Sequence, residues 1–212
     1  MTIEAKICGL STPETIDAAV GGGARFVGFM TFPRSPRHIS TETMRALGQR
    51  VPKTVTRVGV FVDPDDALLD EKLGTGALDM LQLHGAETPE RVAAIRTRTG
   101  KPVMKVIKVA EASDVTRGIA AYRGVAERLM FDAAEGTLPG GNASAFDWTA
   151  LKGKTVPLPW LLAGGLTPDN VAEAVRVTGA PGVDVSSGVE AARGVKSVEL
   201  IRAFLARVGE IT

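Results

Sequence analysis

Apolar, β-branched runs recur at residues 3–8, 26–30, 55–62, 80–84, 103–109, 128–132, 160–163 and 183–185. Each has the length of a buried strand, and several alternate polar and apolar side chains with a period of two. The stretches between them carry helical spacing; in the last one, Val195, Val198, Ile201, Leu205 and Val208 fall on one stripe. Strand and helix are therefore expected to alternate to the end of the chain. Four helix starts share one mark: Thr12-Pro13-Glu14, Asp63-Pro64-Asp65, Thr88-Pro89-Glu90 and Thr167-Pro168-Asp169. Each sets a capping side chain before a proline suited to the first helical position, then an acidic residue facing the helix dipole. Gly21-Gly22-Gly23, behind the first helical stretch, reads as a helix stop. Eight units of about 26 residues each are the right size for a strand, a helix and two short loops. They predict an α/β chain folded as a single-domain (β/α)8 TIM barrel over residues 1–212. An open doubly wound sheet fits less well, because Cys8-Gly9-Leu10-Ser11 offers no G-x-G-x-x-G turn.

Composition narrows the partners. Lys and Arg number 25 against 24 Asp and Glu, a net charge of +1 with no basic run, which argues against nucleic acid as a partner. With 44% hydrophobic residues in 212, the chain can bury a core without staples. Cys8, the only cysteine, has no intramolecular disulfide partner, and the first residues carry charges where a secretion signal needs an apolar run. A cytoplasmic location is expected. The apolar stretch 160–166 is too short to cross a bilayer, so no membrane is expected as a partner.

In such a barrel the chemistry sits where strands end, and those ends read Cys8, Met30, Val62, His84, Val109, Asp132, Ala163 and Asp184. Alternation sends Lys6 and Cys8, Gln82 and His84, and Met130 and Asp132 to one face each, the barrel interior. Cys8 and Asp132 then flank the mouth from opposite sides, a geometry for a base and an acid. Taken singly, a lone cysteine is more often a small buried hydrophobe, and an aspartate a cap or half of an ion pair. His84, with no ligand-spaced cluster around it, reads as a hydrogen-bonded or substrate-lining residue, and no metal is expected. Arg34 and Arg37, in a proline-stiffened loop after the second strand, are candidates to clamp a carboxylate. Gly164-Gly165, Ser186-Ser187-Gly188 and Gly140-Gly141 follow three successive strands and suit close backbone approach to a phosphate. A small phosphorylated molecule is the expected ligand.

With these residues assembled, the chain resembles the phosphoribosylanthranilate isomerase family. The likeness runs from end to end through Lys6-Ile7-Cys8-Gly9, Val27-Gly28-Phe29, Ser35-Pro36-Arg37, Val58-Gly59-Val60-Phe61-Val62, Gln82-Leu83-His84-Gly85, Phe131-Asp132, Gly140-Gly141, Phe146-Asp147-Trp148, Gly164-Gly165-Leu166 and Asp184-Val185-Ser186-Ser187-Gly188-Val189-Glu190. It implies an Amadori rearrangement in tryptophan biosynthesis without cofactor or metal. It also implies Asp132 as general acid, Cys8 as general base and Arg37 on the anthranilate carboxylate. His84 and Asp184 would line the substrate, and Gly141, Gly164, Gly165, Ser186, Ser187 and Gly188 would hold the phosphate. Free Asp titrates near about 3.9 and free Cys near about 8.5, so each must work against its solution preference. Burial and bound anions are expected to raise Asp132, and Lys6 to favour the Cys8 thiolate. One departure is Gly141-Asn142-Ala143, where the family has a further glycine; Ala143 takes positive φ less freely. Two other readings stand beside this one: a Schiff-base barrel using Lys105 or Lys108, and a barrel that only binds its ligand. Whether the chain is a monomer or a homodimer stays open.

Overall fold

A computed structural model describes residues 2–133 and 147–211. Eight parallel strands close in chain order: β1 (Glu4–Cys8), β2 (Phe26–Met30), β3 (Thr56–Phe61), β4 (Met80–Leu83), β5 (Val103–Val109), β6 (Arg128–Ala133), β7 (Trp160–Leu162) and β8 (Gly182–Val185). β8 pairs back onto β1 with Lys6 beside Asp184, completing the expected barrel. Around it lie α1 (Pro13–Gly21), α2 (Thr41–Arg50), α3 (Asp66–Leu73), α4 (Pro89–Thr99), α5 (Ala112–Tyr122), α6 (Val171–Thr178) and α7 (Val198–Gly209). The loop expected after the sixth strand, with Gly140 and Gly141, lies outside the described residues.

Local chemistry explains where the elements begin. Thr12 accepts from the Thr15 N–H at 3.4 Å and Thr88 from the Arg91 N–H at 3.3 Å, with Pro13 and Pro89 opening the helices as expected. The other two starts differ. Asp65, not Asp63, caps α3 by accepting from the Leu68 N–H at 2.8 Å, and α6 begins at Val171, behind Asn170. In both, the proline stands ahead of the cap, in the turn. Asp63 instead takes φ of +45°, a left-handed conformation that aspartate tolerates better than most side chains. Its carboxylate accepts from the Ala86 N–H at 2.7 Å, stitching the loop after β3 to the loop after β4.

Two further expectations fail. Between β6 and β7 the described residues hold a single 3-10 turn, Trp148–Leu151, rather than an α-helix. Gly153, Pro157 and Pro159 follow it, and none of the three supports a helix interior. Val195 does not belong to the last helical stripe: it lies 58% exposed in β10 (Val195–Lys196), which pairs antiparallel with β9 (Glu190–Ala192) in a hairpin after β8. Ser197 ends that hairpin and caps α7, whose buried stripe is Ile201, Phe204, Leu205 and Val208.

Alternation on the strands sorts the side chains into two layers. Ile7, Val27, Phe29, Leu81, Phe131 and Val183 face outward into the core shared with the helices. Phe26, Val58, Met80, Met104, Val106, Met130, Leu161 and Ala163 fill the interior. Deleting such a side chain, as in Leu161→Ala, typically costs about 2–5 kcal/mol, because packed neighbours cannot collapse fully into the void. Above this apolar filling, toward the C-terminal strand ends, the interior turns polar with the buried Lys6, Gln82 and Asp184. No helix of the described residues is long and apolar enough to cross a membrane.

Candidate active site

Over that polar layer the barrel opens into a cleft of about 760 Å³. Cys8, Arg37, Gln82, His84, Lys108, Asp132, Gly164, Gly165, Asp184, Ser186 and Ser187 line it, with Met30, Phe32, Val60 and Val62 as apolar wall. Cys8 and Asp132 thus share one cleft from β1 and β6, as alternation predicted. Gly188 and Arg34 do not line it. Gly188 sits in the 3-10 turn Ser187–Val189, where a side chain would run into the Leu166 carbonyl, and Arg34 is exposed.

On the Cys8 side, Gly28 is the register partner of Cys8 on β2. A Cβ there would stand 3.0 Å from Cys8 Sγ and 3.1 Å from Lys6 Nζ, so glycine leaves room for thiol and ammonium together. Lys6 is fully buried and pairs with Asp184 at 2.7 Å, the counter-ion that a dry ammonium requires. Burial pulls Lys6 down, but the charges of Asp184 and Cys8 outweigh it and leave the ammonium above its ordinary value. For Cys8, burial pushes the thiol up, Lys6 pulls it down, Asp184 pushes it up and Lys196 pulls it down. Lys6 acts in the expected direction, yet burial wins and the resting thiol lies above its ordinary value.

On the opposite side, Asp132 Oδ2 is 2.6 Å from Lys108 Nζ and 3.1 Å from His84 Nε2. The Gln82 amide nitrogen, which can only donate, lies 3.0 Å from His84 Nδ1. Nδ1 is therefore the acceptor, and Nε2 carries the proton given to Asp132. Burial pushes the Asp132 carboxyl up, but the His84 hydrogen bond and the Lys108 ammonium bring it below the usual aspartate value. The expected upward shift is thus reversed in the free protein, because His84 and Lys108 together outweigh burial.

Arg37 forks onto Glu190, Nε to Oε1 at 2.6 Å and Nη2 to Oε2 at 2.9 Å. Among the described residues its other three N–H groups have no acceptor, which leaves them for a ligand carboxylate. Across the cleft, the N–H groups of Gly164 and Gly165 donate to nothing among the described residues, which leaves them for an anion. Gly141 lies outside the described residues.

Lys105 and Lys108 part company by alternation. Lys105 points out of the barrel and is buried against Glu87 at 2.7 Å, with the Gly85 carbonyl at 2.7 Å. Glu87 also accepts the N–H groups of Asp63 at 2.9 Å and Gly85 at 3.1 Å, so the pair braces the loop carrying His84. Lys105 therefore faces away from the cleft. Lys108 lies in the cleft, and the period that placed Asp132 there would have found it. Glu190 and Lys196 carried no such signal, since they sit on a short hairpin outside the repeat.

Comparison with known proteins agrees with this geometry. Residues 5–207 match the family model of N-(5'-phosphoribosyl)anthranilate (PRA) isomerase. The chain belongs to that family. It is 54% identical over 210 residues to the N-(5'-phosphoribosyl)anthranilate isomerase of Paracoccus denitrificans, covering 98% of this chain and 97% of that one. Among solved structures it resembles the phosphoribosyl anthranilate isomerase of Thermotoga maritima, with a TM-score of 0.87, 34% identity, and coverage of 97% and 98% of the two chains. A second is a phosphoribosyl anthranilate isomerase in complex with reduced 1-(o-carboxyphenylamino)-1-deoxyribulose 5-phosphate. Its TM-score is 0.82 and its identity 33%, over 97% of this chain and 98% of that one. Family membership makes the chain an isomerase and disfavours the Schiff-base and binding-only readings.

Proposed function

We propose that this cleft carries out the Amadori rearrangement of N-(5-phosphoribosyl)anthranilate to 1-(2-carboxyphenylamino)-1-deoxyribulose 5-phosphate, a step of tryptophan biosynthesis. The observation that carries this reading is a carboxyl group and a thiol entering one cleft from opposite strands, with a guanidinium and free N–H groups beside them. Asp132 gives a proton to the ribose ring oxygen as the bond from that oxygen to C1 breaks, and the lone pair of the anthranilate nitrogen forms a C1=N bond, leaving an iminium ion. The iminium acidifies the hydrogen on C2, and the Cys8 thiolate takes it as the electron pair moves to make the enamine. Tautomerisation to the ketone completes the product with no net gain or loss of protons. Arg37 holds the anthranilate carboxylate and the N–H groups of Gly164, Gly165 and the Ser186–Ser187 turn hold the phosphate, so acid, base and anion sites all come from the chain itself. A free catalytic thiol also suits the reducing cytoplasm.

The resting protein holds Asp132 ionised and Cys8 protonated, the reverse of the working pair. The working pair is then a minor population, and between the two titrations its fraction does not depend on pH. The expectation is a level kcat/KM across neutral pH, with limbs appearing only where one of the two groups titrates. To test the function, the substrate is generated in place from anthranilate, phosphoribosyl pyrophosphate and a transferase, and its fluorescence is followed. Decay with the wild type, lost with Cys8→Ser and with Asp132→Asn, is expected. A wild type that binds the compound and leaves the signal unchanged would overturn the reading.

A further inference from the structure

Glu190 and Lys196 take no part in the chemistry above, yet among the described residues they are the most enclosed ion pair at the rim of the cleft, with side chains 5% and 0% exposed. Lys196 Nζ donates to Glu190 Oε1 at 2.8 Å, to the Ser186 carbonyl at 2.7 Å and to Ser186 Oγ at 3.2 Å. An ammonium cannot accept, so the Ser186 hydroxyl accepts from Lys196 and gives its own hydrogen to the Cys8 carbonyl, 3.3 Å away. On the other side, Glu190 takes the Arg37 fork and the Gly194 N–H at 3.0 Å. An unbroken line of contacts therefore joins Arg37, Glu190, Lys196, Ser186 and Cys8. Gly194, at φ of +84°, brings the hairpin down onto the Arg37 loop, where a Cβ would stand 2.9 Å from the Pro36 carbonyl. Desolvating a lysine and a glutamate is costly, and the other two buried pairs among the described residues, Lys6–Asp184 and Lys105–Glu87, each hold a functional element in place, the thiol's neighbour and the loop carrying His84.

We propose that Glu190 and Lys196 are a positioning pair that links the two halves of substrate handling: Glu190 aims the Arg37 guanidinium at the anthranilate carboxylate, and Lys196 sets a positive charge beside Cys8. The inference rests on the reading of Cys8 as base and Arg37 as carboxylate clamp. Among the described residues, the charged groups facing Cys8 are Lys6 on its own strand, Asp184 on β8 and Lys196 on β10, with Glu190 behind Lys196 partly cancelling its charge. Without Lys196 the thiol loses a cation and should titrate higher. Without the Glu190 charge, the field of Lys196 is less cancelled and the thiol should titrate lower. A merely structural role for the pair would not give opposite signs.

Because Cys8 is the only cysteine, its alkylation by iodoacetamide as a function of pH reports its titration without any turnover. Relative to wild type, Lys196→Met is expected to move the midpoint up by about one pH unit, and Glu190→Gln to move it down by about half a unit. Lys196→Arg, which keeps the charge, should stay near wild type. In the fluorescence assay, Glu190→Gln should raise KM about tenfold with a smaller change in kcat, as a loosened guanidinium fork predicts. Midpoints that stay put, or that move the same way in both charge-removing variants while circular dichroism shows a folded barrel, would overturn the proposal. If Lys196→Met fails to fold, a Glu190→Gln midpoint at or above that of wild type and Lys196→Arg overturns it just as well. Thiol shifts of the expected signs in a protein that does not consume the substrate would sink the proposed function and leave the Cys8 arm of this inference standing.

Discussion

At the N-terminal end of the barrel, Glu4 holds Arg128 at 2.7 Å and Arg25 at 3.8 Å, and Arg57 forks onto Asp79 at 2.7 and 2.8 Å. Arg128 also lies over the Phe26 ring, 5.0 Å from its centroid, and so lids the apolar filling. These side chains are all partly open to water, and each charge is satisfied by another on the rim. At the C-terminal end, the Lys6–Asp184 and Glu190–Lys196 pairs are almost wholly enclosed, and the half-buried Lys108–Asp132–His84 cluster opens onto the cleft. Here burial and neighbouring charge hold Cys8 and Asp132 in the protonation states opposite to those the reaction uses. One end uses its charges to close the fold; the other uses them to tune reacting groups. That division follows from direction alone, since all eight strands point the same way and the loops with room to vary gather at one end.

Crossed substitutions sharpen the contrast. The largest effect is expected from Asp132→Asn, which should lower turnover by about 10²–10⁴-fold, the usual worth of a positioned acid, while circular dichroism still shows a folded barrel. Lys105→Met comes next: it strands Glu87 in a dry site, where its partner is 3% and Glu87 itself 1% exposed, and should destabilise the fold by about 3–5 kcal/mol in urea unfolding. Arg128→Met at the closed end should cost about 1 kcal/mol and leave kcat/KM unchanged, the mirror image of Asp132→Asn. The smallest effect concerns pH. Burial pushes the Glu190 carboxyl up, but hydrogen bonds from Arg37, Lys196 and the Gly194 N–H bring it down from 4.5 to about 2. A depressed carboxylate stabilises fully above its unfolded value and loses that contribution as the pH falls toward its folded one. Melting temperatures recorded from pH 6 down to pH 3 should therefore drop less steeply for Glu190→Gln than for wild type, and equal slopes would contradict the assignment.

How far the sequence revealed this site depended on the period of two. It put Lys6, Cys8, Gln82, His84 and Asp132 on inward faces, because a closed strand has only two sides. The same rule separates Lys108 in the cleft from Lys105 behind it, although both first stood as equal candidates. Cap chemistry was legible where Thr-Pro directly opens a helix and misleading at Asp63 and Thr167, where the proline belongs to the preceding turn. What lay beyond reach was which individual side chains pair across long distances in sequence. Arg37 and Glu190 meet across 153 positions, and the Ser186 hydroxyl reaches the Cys8 carbonyl across 178. The direction of the Asp132 shift was hidden for the same reason, since it depends on the His84 hydrogen bond and the Lys108 charge, 48 and 24 positions away.

The central claim is that the single cysteine sits at the reacting centre of the open end, and stoichiometric alkylation tests it most directly. Iodoacetamide should add once, at Cys8 by mass spectrometry, with isomerase activity lost in step. Reduced 1-(o-carboxyphenylamino)-1-deoxyribulose 5-phosphate should protect both thiol and activity. A fully alkylated protein that still consumes its substrate at the wild-type rate would contradict the account.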